Sequence, residues 1–320
     1  MKGYQFEDTQ GTFHLKKAEN ISYLYFPIAG EAGLKSSLTP NLGGDAKIDQ
    51  NTFLLEPVSA ENLVNNRNSR NFWCNVKGIG SWSLTGNAAE ALSKKFTEMQ
   101  DDSEVTAGFM WQKTTRESKK YQLRGEILSF IPVDKNVEIM LVTITNTGRM
   151  AQTVTPTAAI PLYGRSADNI RDHRHVTSLL HRIETTDIGV LVTPTLSFDE
   201  RGHQVNHMTY YCVGWSGNGE KPVDFYPTAE DFVGEGGNFE RPYAIVKKAE
   251  GVKAGTRIEG LEAVGGLHFS EVTLEPEEEC SYLIFTGITE DIQEIRNLSK
   301  TYTTREMVLE ELEKTKAYWQ

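Results

Sequence analysis

Val137–Asn146 reads VEIMLVTITN, ten residues with β-branched side chains throughout. A run of that kind is a strand that carries apolar residues on its whole length. Thr147-Gly148-Arg149 follows as a turn, and Gln152–Leu162 (QTVTPTAAIPL) follows as the expected return strand of a hairpin. Further β-prone runs lie at Ile21–Ile28, Tyr121–Ile131, Gly189–Leu196, Met208–Trp215, Tyr243–Ala249, Leu267–Leu274 and Cys280–Thr286. Gly, Asn, Asp and Pro break the chain between them. Many short strands with few helices between them specify an all-β sandwich or barrel, not a βαβ fold.

Three segments depart from this pattern. Glu90–Met99 reads as a short helix after a Gly-Asn turn, and Val176–Ile183 as either a helix or an extended segment. From Asp291 to Gln320 the chain turns helical. Ile292, Ile295 and Leu298 mark one amphipathic stretch, and Val308, Leu312 and Trp319 mark the face of a second. Thr303 followed by Glu306 has capping-box spacing. The last helix reaches Trp319-Gln320 without a Gly, Asn or Pro to stop it, the pattern expected of a linker cut in its middle.

The chain has 320 residues, enough for one large β domain, and a formal charge of -11. That charge argues against nucleic acid, which needs a basic face. Lys113–Arg116 with Lys119 and Lys120 is the nearest candidate and reads as a solvated hairpin end. Met1–Asp8 has no apolar core of a secretory signal, and no window approaches the roughly 18 apolar residues of a membrane span. Cys74, Cys212 and Cys280 are far apart and odd in number, so free buried thiols are expected, and with them a cytoplasmic location.

The densest polar stretch is Gly164–Arg182 (GRSADNIRDHRHVTSLLHR). Arg, Asp, Asn and His together supply the mixed donors and acceptors that sugar hydroxyls require. A structural network of Arg–Asp pairs is the other reading of the same residues. Metal binding is disfavoured, because His173 and His175 on an extended segment lack a third ligand nearby. Asn65–Trp73 (NNRNSRNFW) interleaves Arg67 and Arg70 with asparagines before Trp73, a second place for a sugar, or else turn and core residues. In Ser197–His207 (SFDERGHQVNH), Asp199, Glu200 and His203 offer acid/base groups, although Glu200-Arg201-Gly202 reads more simply as a hairpin turn. The acidic, Gly-rich stretch Tyr226–Arg241 reads as a long loop. Neither Gly234–Gly237 nor Gly214–Gly219 satisfies a phosphate-loop or nucleophile-elbow pattern.

Several segments in order resemble the N-terminal domain of glycoside hydrolase family 94, the cellobiose phosphorylase group. They are Gly33–Asp49 (GLKSSLTPNLGGDAKID), Gln50–Pro57 (QNTFLLEP), Ser69–Trp73, Val137–Leu162, Tyr163–His181 and Ala229–Gly237. The YGRSADNIRDHRH and SFDERGH segments are most similar to the 1,2-β-oligoglucan phosphorylase branch. The resemblance implies a mutarotase-like super-β-sandwich over 1–290. It implies a helical linker over 291–320 towards an (α/α)6 barrel that carries the catalytic Asp. No catalytic residue and no metal are then expected in this chain, and no cofactor beyond inorganic phosphate as co-substrate. In cellobiose-type members an Asn followed shortly by an Arg sits in the loop after the strand matching Ala158–Leu162. Asn169 and Arg171 occupy that place here. The Asp172-His173-Arg174-His175 run that follows departs from the pattern. Asn169, Arg171, Asp172, His173, Arg174 and His175 are therefore the expected substrate-binding residues, with Arg67, Arg70 and Trp73 as a secondary set. Expected partners are a β-glucan oligosaccharide, the barrel and a second copy in a homodimer. A free-standing carbohydrate-binding module and a mutarotase-like epimerase are the alternatives.

Overall fold

The computed structural model describes residues 4–21, 24–59, 67–199 and 202–320, and only the backbone of 4, 198 and 199. Val137–Asn146 lies in the middle of an eleven-stranded antiparallel sheet. Leu123–Phe130 pairs with it on one side and Glu279–Thr289 on the other. Along this strand Met140, Val142 and Ile144 enter one apolar cluster, and Val137, Ile139 and Leu141 enter another. Side chains alternate across a strand, so both faces of the sheet are covered here. That is why the run is apolar without interruption.

The first cluster lies between the large sheet and a smaller one. The small sheet contains Asp224–Thr228, Ala263–His268, Gln152–Leu162, Asn71–Val76 and Gly80–Ser83, in that order. A four-stranded sheet from Phe26 to Leu55 adds Ile28, Leu38, Leu54 and Leu55 to the same cluster. The second cluster covers the outer face of the large sheet. Helices Ile292–Thr301 and Arg305–Trp319 supply Ile295, Leu298, Val308 and Leu312 to it. Trp215 donates its indole N–H to the Tyr302 carbonyl at 2.9 Å, which fixes the corner between the helices. Each such large apolar side chain stabilises the fold by about 1.5–3 kcal/mol on burial. Among the described residues no helix is long and apolar enough to cross a membrane, which says nothing of strands.

The expected all-β super-β-sandwich with C-terminal helices is present, and several local readings change. Gln152–Leu162 does not return beside Val137–Asn146; it crosses into the small sheet and pairs with Asn71–Val76 and Ala263–His268. Asn146 explains the crossing. Its amide donates to the Met150 and Leu274 carbonyls, both at 2.9 Å, and its oxygen accepts from Gly148 N at 2.9 Å. The 147–151 segment is thereby tied across the sheets instead of closing a hairpin.

Tyr243–Ala249 is not a strand: Tyr243–Lys247 is a helix that starts after Pro242 and buries Ala244 and Ile245 against Phe232 and Phe239. Of the basic run, Arg116 is buried in its strand, bonded to Asn41 Oδ1 and the Thr85 carbonyl. The last helix takes Thr304 as its N-cap, while the Thr303 hydroxyl contacts Met307 Sδ, so no Thr303–Glu306 box forms. Ile292 is exposed, and Val176–Ile183 divides into the end of helix Arg174–Ser178 and the start of strand Arg182–Thr185. The cysteines are free, with Cys74 and Cys212 buried and Cys280 half-buried. Burial pushes the Cys212 and Cys280 thiols up to about 12.

The acidic stretch after Tyr226 contains a further departure, the helix Ala229–Val233. The Thr228 hydroxyl accepts from Asp231 N at 3.0 Å and donates to Asp231 Oδ2 at 2.7 Å. T-x-x-D spacing is the sequence signal for this cap. Thr228→Ala is expected to lower stability by about 1 kcal/mol in urea unfolding; an unmoved midpoint would count against the cap.

Candidate functional site

The strand Gln152–Leu162 ends at an edge where three parts of the fold meet. Tyr163 N donates to the Leu54 carbonyl at 2.8 Å, Gly164 N to Phe53 O at 3.0 Å, and Phe53 N to Arg165 O at 3.0 Å. Gly164 turns the chain with φ +61°, a region glycine enters without strain. The turn places the Arg165 guanidinium over the Tyr163 ring, 5.1 Å from its centroid. Glu56 follows strand Thr52–Leu55, Glu262 precedes strand Ala263–His268, and Arg174 opens helix Arg174–Ser178. These side chains, with Arg67, line a small cleft of about 20 Å³, open to solvent, whose apolar wall includes Pro161, Ala229 and Phe239.

Arg174 bridges both carboxylates. Its Nη2 lies 2.5 Å from Glu56 Oε1 and its Nη1 3.3 Å from Glu262 Oε1. Arg67 Nη1 takes the other Glu262 oxygen at 3.1 Å and sits over the Phe239 ring at 5.8 Å. Burial works to raise the Glu262 carboxyl, but Arg174, Arg67 and Arg165 together hold it below the usual carboxylate range. Arg165 is different. It is 6% exposed, its buried Nε has no partner among the described residues, and Glu262 and Glu56 act on it only through space. Burial pulls its guanidinium below the ordinary arginine value, without bringing deprotonation near neutral pH.

His181 lies directly behind. Its Nδ1 is 3.1 Å from the Leu261 carbonyl, so Nδ1 carries the hydrogen, and its buried Nε2 makes no well-formed hydrogen bond among the described residues, with the Tyr163 backbone beside the ring. Burial, with Arg165 nearby, drives its pKa down to about 3. At neutral pH the ring is therefore uncharged and has no second proton to give. The group as a whole offers fixed charges and forked donors.

The residues expected at the site are distributed unevenly. Arg174 and Arg67 line the cavity. Asn169 is buried inside its own loop: its Oδ1 accepts from Ser166 N and Oγ, and its Nδ2 donates to Asp172 Oδ2 at 3.0 Å. Arg171, Asp172, His173 and His175 are exposed outside the cavity, the two imidazoles 5.4 Å apart on a helix start and not on an extended segment. Arg70 is fully buried on Glu138, and Trp73 is buried among Tyr226, Phe232 and Phe239, so neither side chain presents itself to solvent. Asn65, Asn66, Glu200 and Arg201 lie outside the described residues, and strands Leu196–Asp199 and Gly202–Val205 pair as a hairpin around the last two. His203 is exposed on that hairpin. Among the described residues no three His, Cys, Asp or Glu side chains gather as a metal site. Glu56 and Glu262 are the cavity members that the sequence reading missed. The available signal was a carboxylate placed directly against an apolar strand, FLLE at one and LEAV at the other.

The family model "Glycosyl hydrolase 94, supersandwich domain" matches residues 56–305, more than three-quarters of the chain and all of the cavity. No curated protein matches the chain. Among solved structures it is similar to a putative kojibiose phosphorylase from human microbiome, at 10% identity and TM-score 0.48, over 100% of this chain and 39% of that one. A bacterial glucoamylase complexed with acarbose is similar at 10% identity and TM-score 0.41, over 96% of this chain and 37% of that one. A putative aldose 1-epimerase from Escherichia coli K12 is similar at 9% identity and TM-score 0.43, over 83% of this chain and 99% of that one. The chain thus spans about two-fifths of the length of the first two.

Proposed function

Because the chain belongs to the glycosyl hydrolase 94 supersandwich-domain family, we propose that it serves as the N-terminal domain of an inverting glycoside phosphorylase. The reaction would cleave β-glucosidic bonds, β-1,2-linked oligoglucans first among them, and give α-glucose 1-phosphate. An oxygen of inorganic phosphate bonds to the anomeric carbon as the glycosidic C–O bond breaks. The leaving oxygen takes its proton from an acid on the barrel that follows, reached through helices Ile292–Thr301 and Arg305–Trp319. Inversion by phosphate needs no second carboxylate as base. This domain's own share is to hold the acceptor-side sugar and to pack against the barrel.

The observation that supports the reading is the Arg67–Glu262–Arg174–Glu56 chain at the rim of the cavity. Its alternating donors and acceptors are the set that a sugar diol engages, and they stand beside the 166–175 loop. The test runs the enzyme in the synthetic direction with α-glucose 1-phosphate and sophorose as acceptor. Arg171→Ala with Arg174→Ala is expected to raise the acceptor KM by about tenfold or more, a loss of about 1.4 kcal/mol, with kcat changed far less. An unchanged acceptor KM would sink the proposal. Sophoro-oligosaccharide binding by the 320-residue chain alone, tighter than millimolar, would instead favour a carbohydrate-binding module.

A further inference from the structure

We propose that the cavity is a carboxylate site: it takes one carboxylate group, carried by an acidic sugar or by a small free acid, on Arg165. The inference rests on the reading of this cavity as the domain's ligand site, but not on phosphorolysis. Three guanidinium groups, Arg67, Arg165 and Arg174, face two carboxylates, Glu56 and Glu262. The rim pairs Arg67 and Arg174 with those two carboxylates. Among the described residues that line the cleft one positive charge is left over, and Arg165 is the most buried of the three, 6% exposed against 31% for the side chains of Arg67 and Arg174.

A buried charge is normally paired, because removal from water costs several kcal/mol that a counter-charge must offset. Arg165 lies over the face of Tyr163, 5.1 Å away, whose buried hydroxyl also has no partner among the described residues, and Glu262 and Glu56 act on it through space without an ion-pair contact. A cation over an aromatic ring gains about 0.5–2 kcal/mol, less than a paired carboxylate supplies at the same depth. The missing partner is therefore a single negative charge with a flat pair of acceptor oxygens, which a guanidinium fork matches in shape. A dianionic phosphate would bring one charge too many for this balance. A neutral sugar would leave Arg165 as it is.

The test titrates the 320-residue chain, at constant chloride, with glucuronate, acetate, glucose, sophorose and inorganic phosphate, following NMR shifts of arginine side chains. Glucuronate is expected to bind about tenfold or more tightly than glucose, and Arg165→Gln to remove most of that preference. Saturation by acetate at concentrations similar to glucuronate would assign the site to a free carboxylate, and weaker binding of acetate would assign it to an acidic sugar; both support the proposal. Binding of sophorose without any response to glucuronate or acetate would overturn it and leave the sugar-site reading standing. Carboxylate binding with no response to sophorose would support it while removing the neutral-glucan reading. Phosphate binding alone would overturn it. Should Arg165→Gln fail to fold, the comparison of ligands on the unaltered chain decides by itself.

Discussion

Glu138→Ala is expected to cost the fold about 3–5 kcal/mol. Glu138 is 3% exposed and Arg70 1%. Arg70 Nε reaches Glu138 Oε1 at 2.5 Å and its Nη2 reaches Oε2 at 3.0 Å, a fork on one carboxylate. Ser36 Oγ donates to the same carboxylate at 2.5 Å, and Arg70 Nη1 donates to the Gly44 carbonyl at 2.8 Å. Ser36 lies in the four-stranded sheet, Glu138 in the large sheet, and Arg70 at the entry to strand Asn71–Val76 of the small one. One ion pair thus joins three layers. Removal of the carboxylate leaves a guanidinium in the core with carbonyl partners only, which is why the loss exceeds that of an exposed pair, about 0–1 kcal/mol. The paired replacement Arg70→Met with Glu138→Leu strands no charge and is expected to recover most of the loss. Urea unfolding of both variants measures it, and a single-variant cost below about 1 kcal/mol would show that the pair does not hold the layers together.

Arg70 also shows where sequence reading runs out. NNRNSRNFW interleaves arginine, asparagine and aromatics, the composition of a sugar-binding surface, but the partner that buries Arg70 lies 68 residues away. The same holds for Arg174, whose carboxylates are 118 and 88 residues distant. Local patterns carry periodicity, so Val137–Asn146 and the buried faces of the two C-terminal helices could be read from the chain. Pairing is not local. The strand after Asn146 had the look of a hairpin partner, and only the bonds of the Asn146 amide to Met150 and Leu274 send it to the other sheet. Tyr243–Ala249 has the composition of a strand but folds as a helix, because Pro242 precedes it and Ala244 and Ile245 find their partners at helical spacing. In the polar loop, composition marked the right region but not the right residues. Asn169 and Asp172 bond each other within the loop, and Arg165 is buried with no carboxylate in contact among the described residues.

That buried arginine has a titratable neighbour, and the neighbour makes the chain sensitive to mild acid. Below pH 6.5 the stability of the unaltered chain is expected to fall by up to about 1.4 kcal/mol per pH unit on account of His181 alone. Burial, with the Arg165 charge beside it, lowers the His181 pKa to about 3 from an ordinary 6.5. The folded ring therefore stays neutral through this range while the unfolded ring takes up a proton. The unfolded state binds more protons between the two values, so stability is fully present above pH 6.5 and declines as pH drops towards 3. At pH 5 the loss is roughly 2 kcal/mol. Carboxylates contribute lower down. Burial works to raise the Glu90 carboxyl, but bonds from Lys120, Lys94 and Tyr121 bring it down to about 2, against an ordinary 4.5. Its share of stability is intact above pH 4.5 and declines only as pH falls from there towards 2. The interval between pH 5 and 6.5 thus separates the histidine from these acids. His181→Asn keeps an amide N–H for the Leu261 carbonyl and removes the titration. Its stability at pH 7.5 is expected to be lower than that of the unaltered chain, but its slope between pH 6.5 and 5 shallower by most of the His181 contribution. Equal slopes for the two proteins over that interval would mean that the ring gains a proton without unfolding, and that the space behind Arg165 is wetter than the closeness of Gly164, Tyr210 and Pro194 indicates.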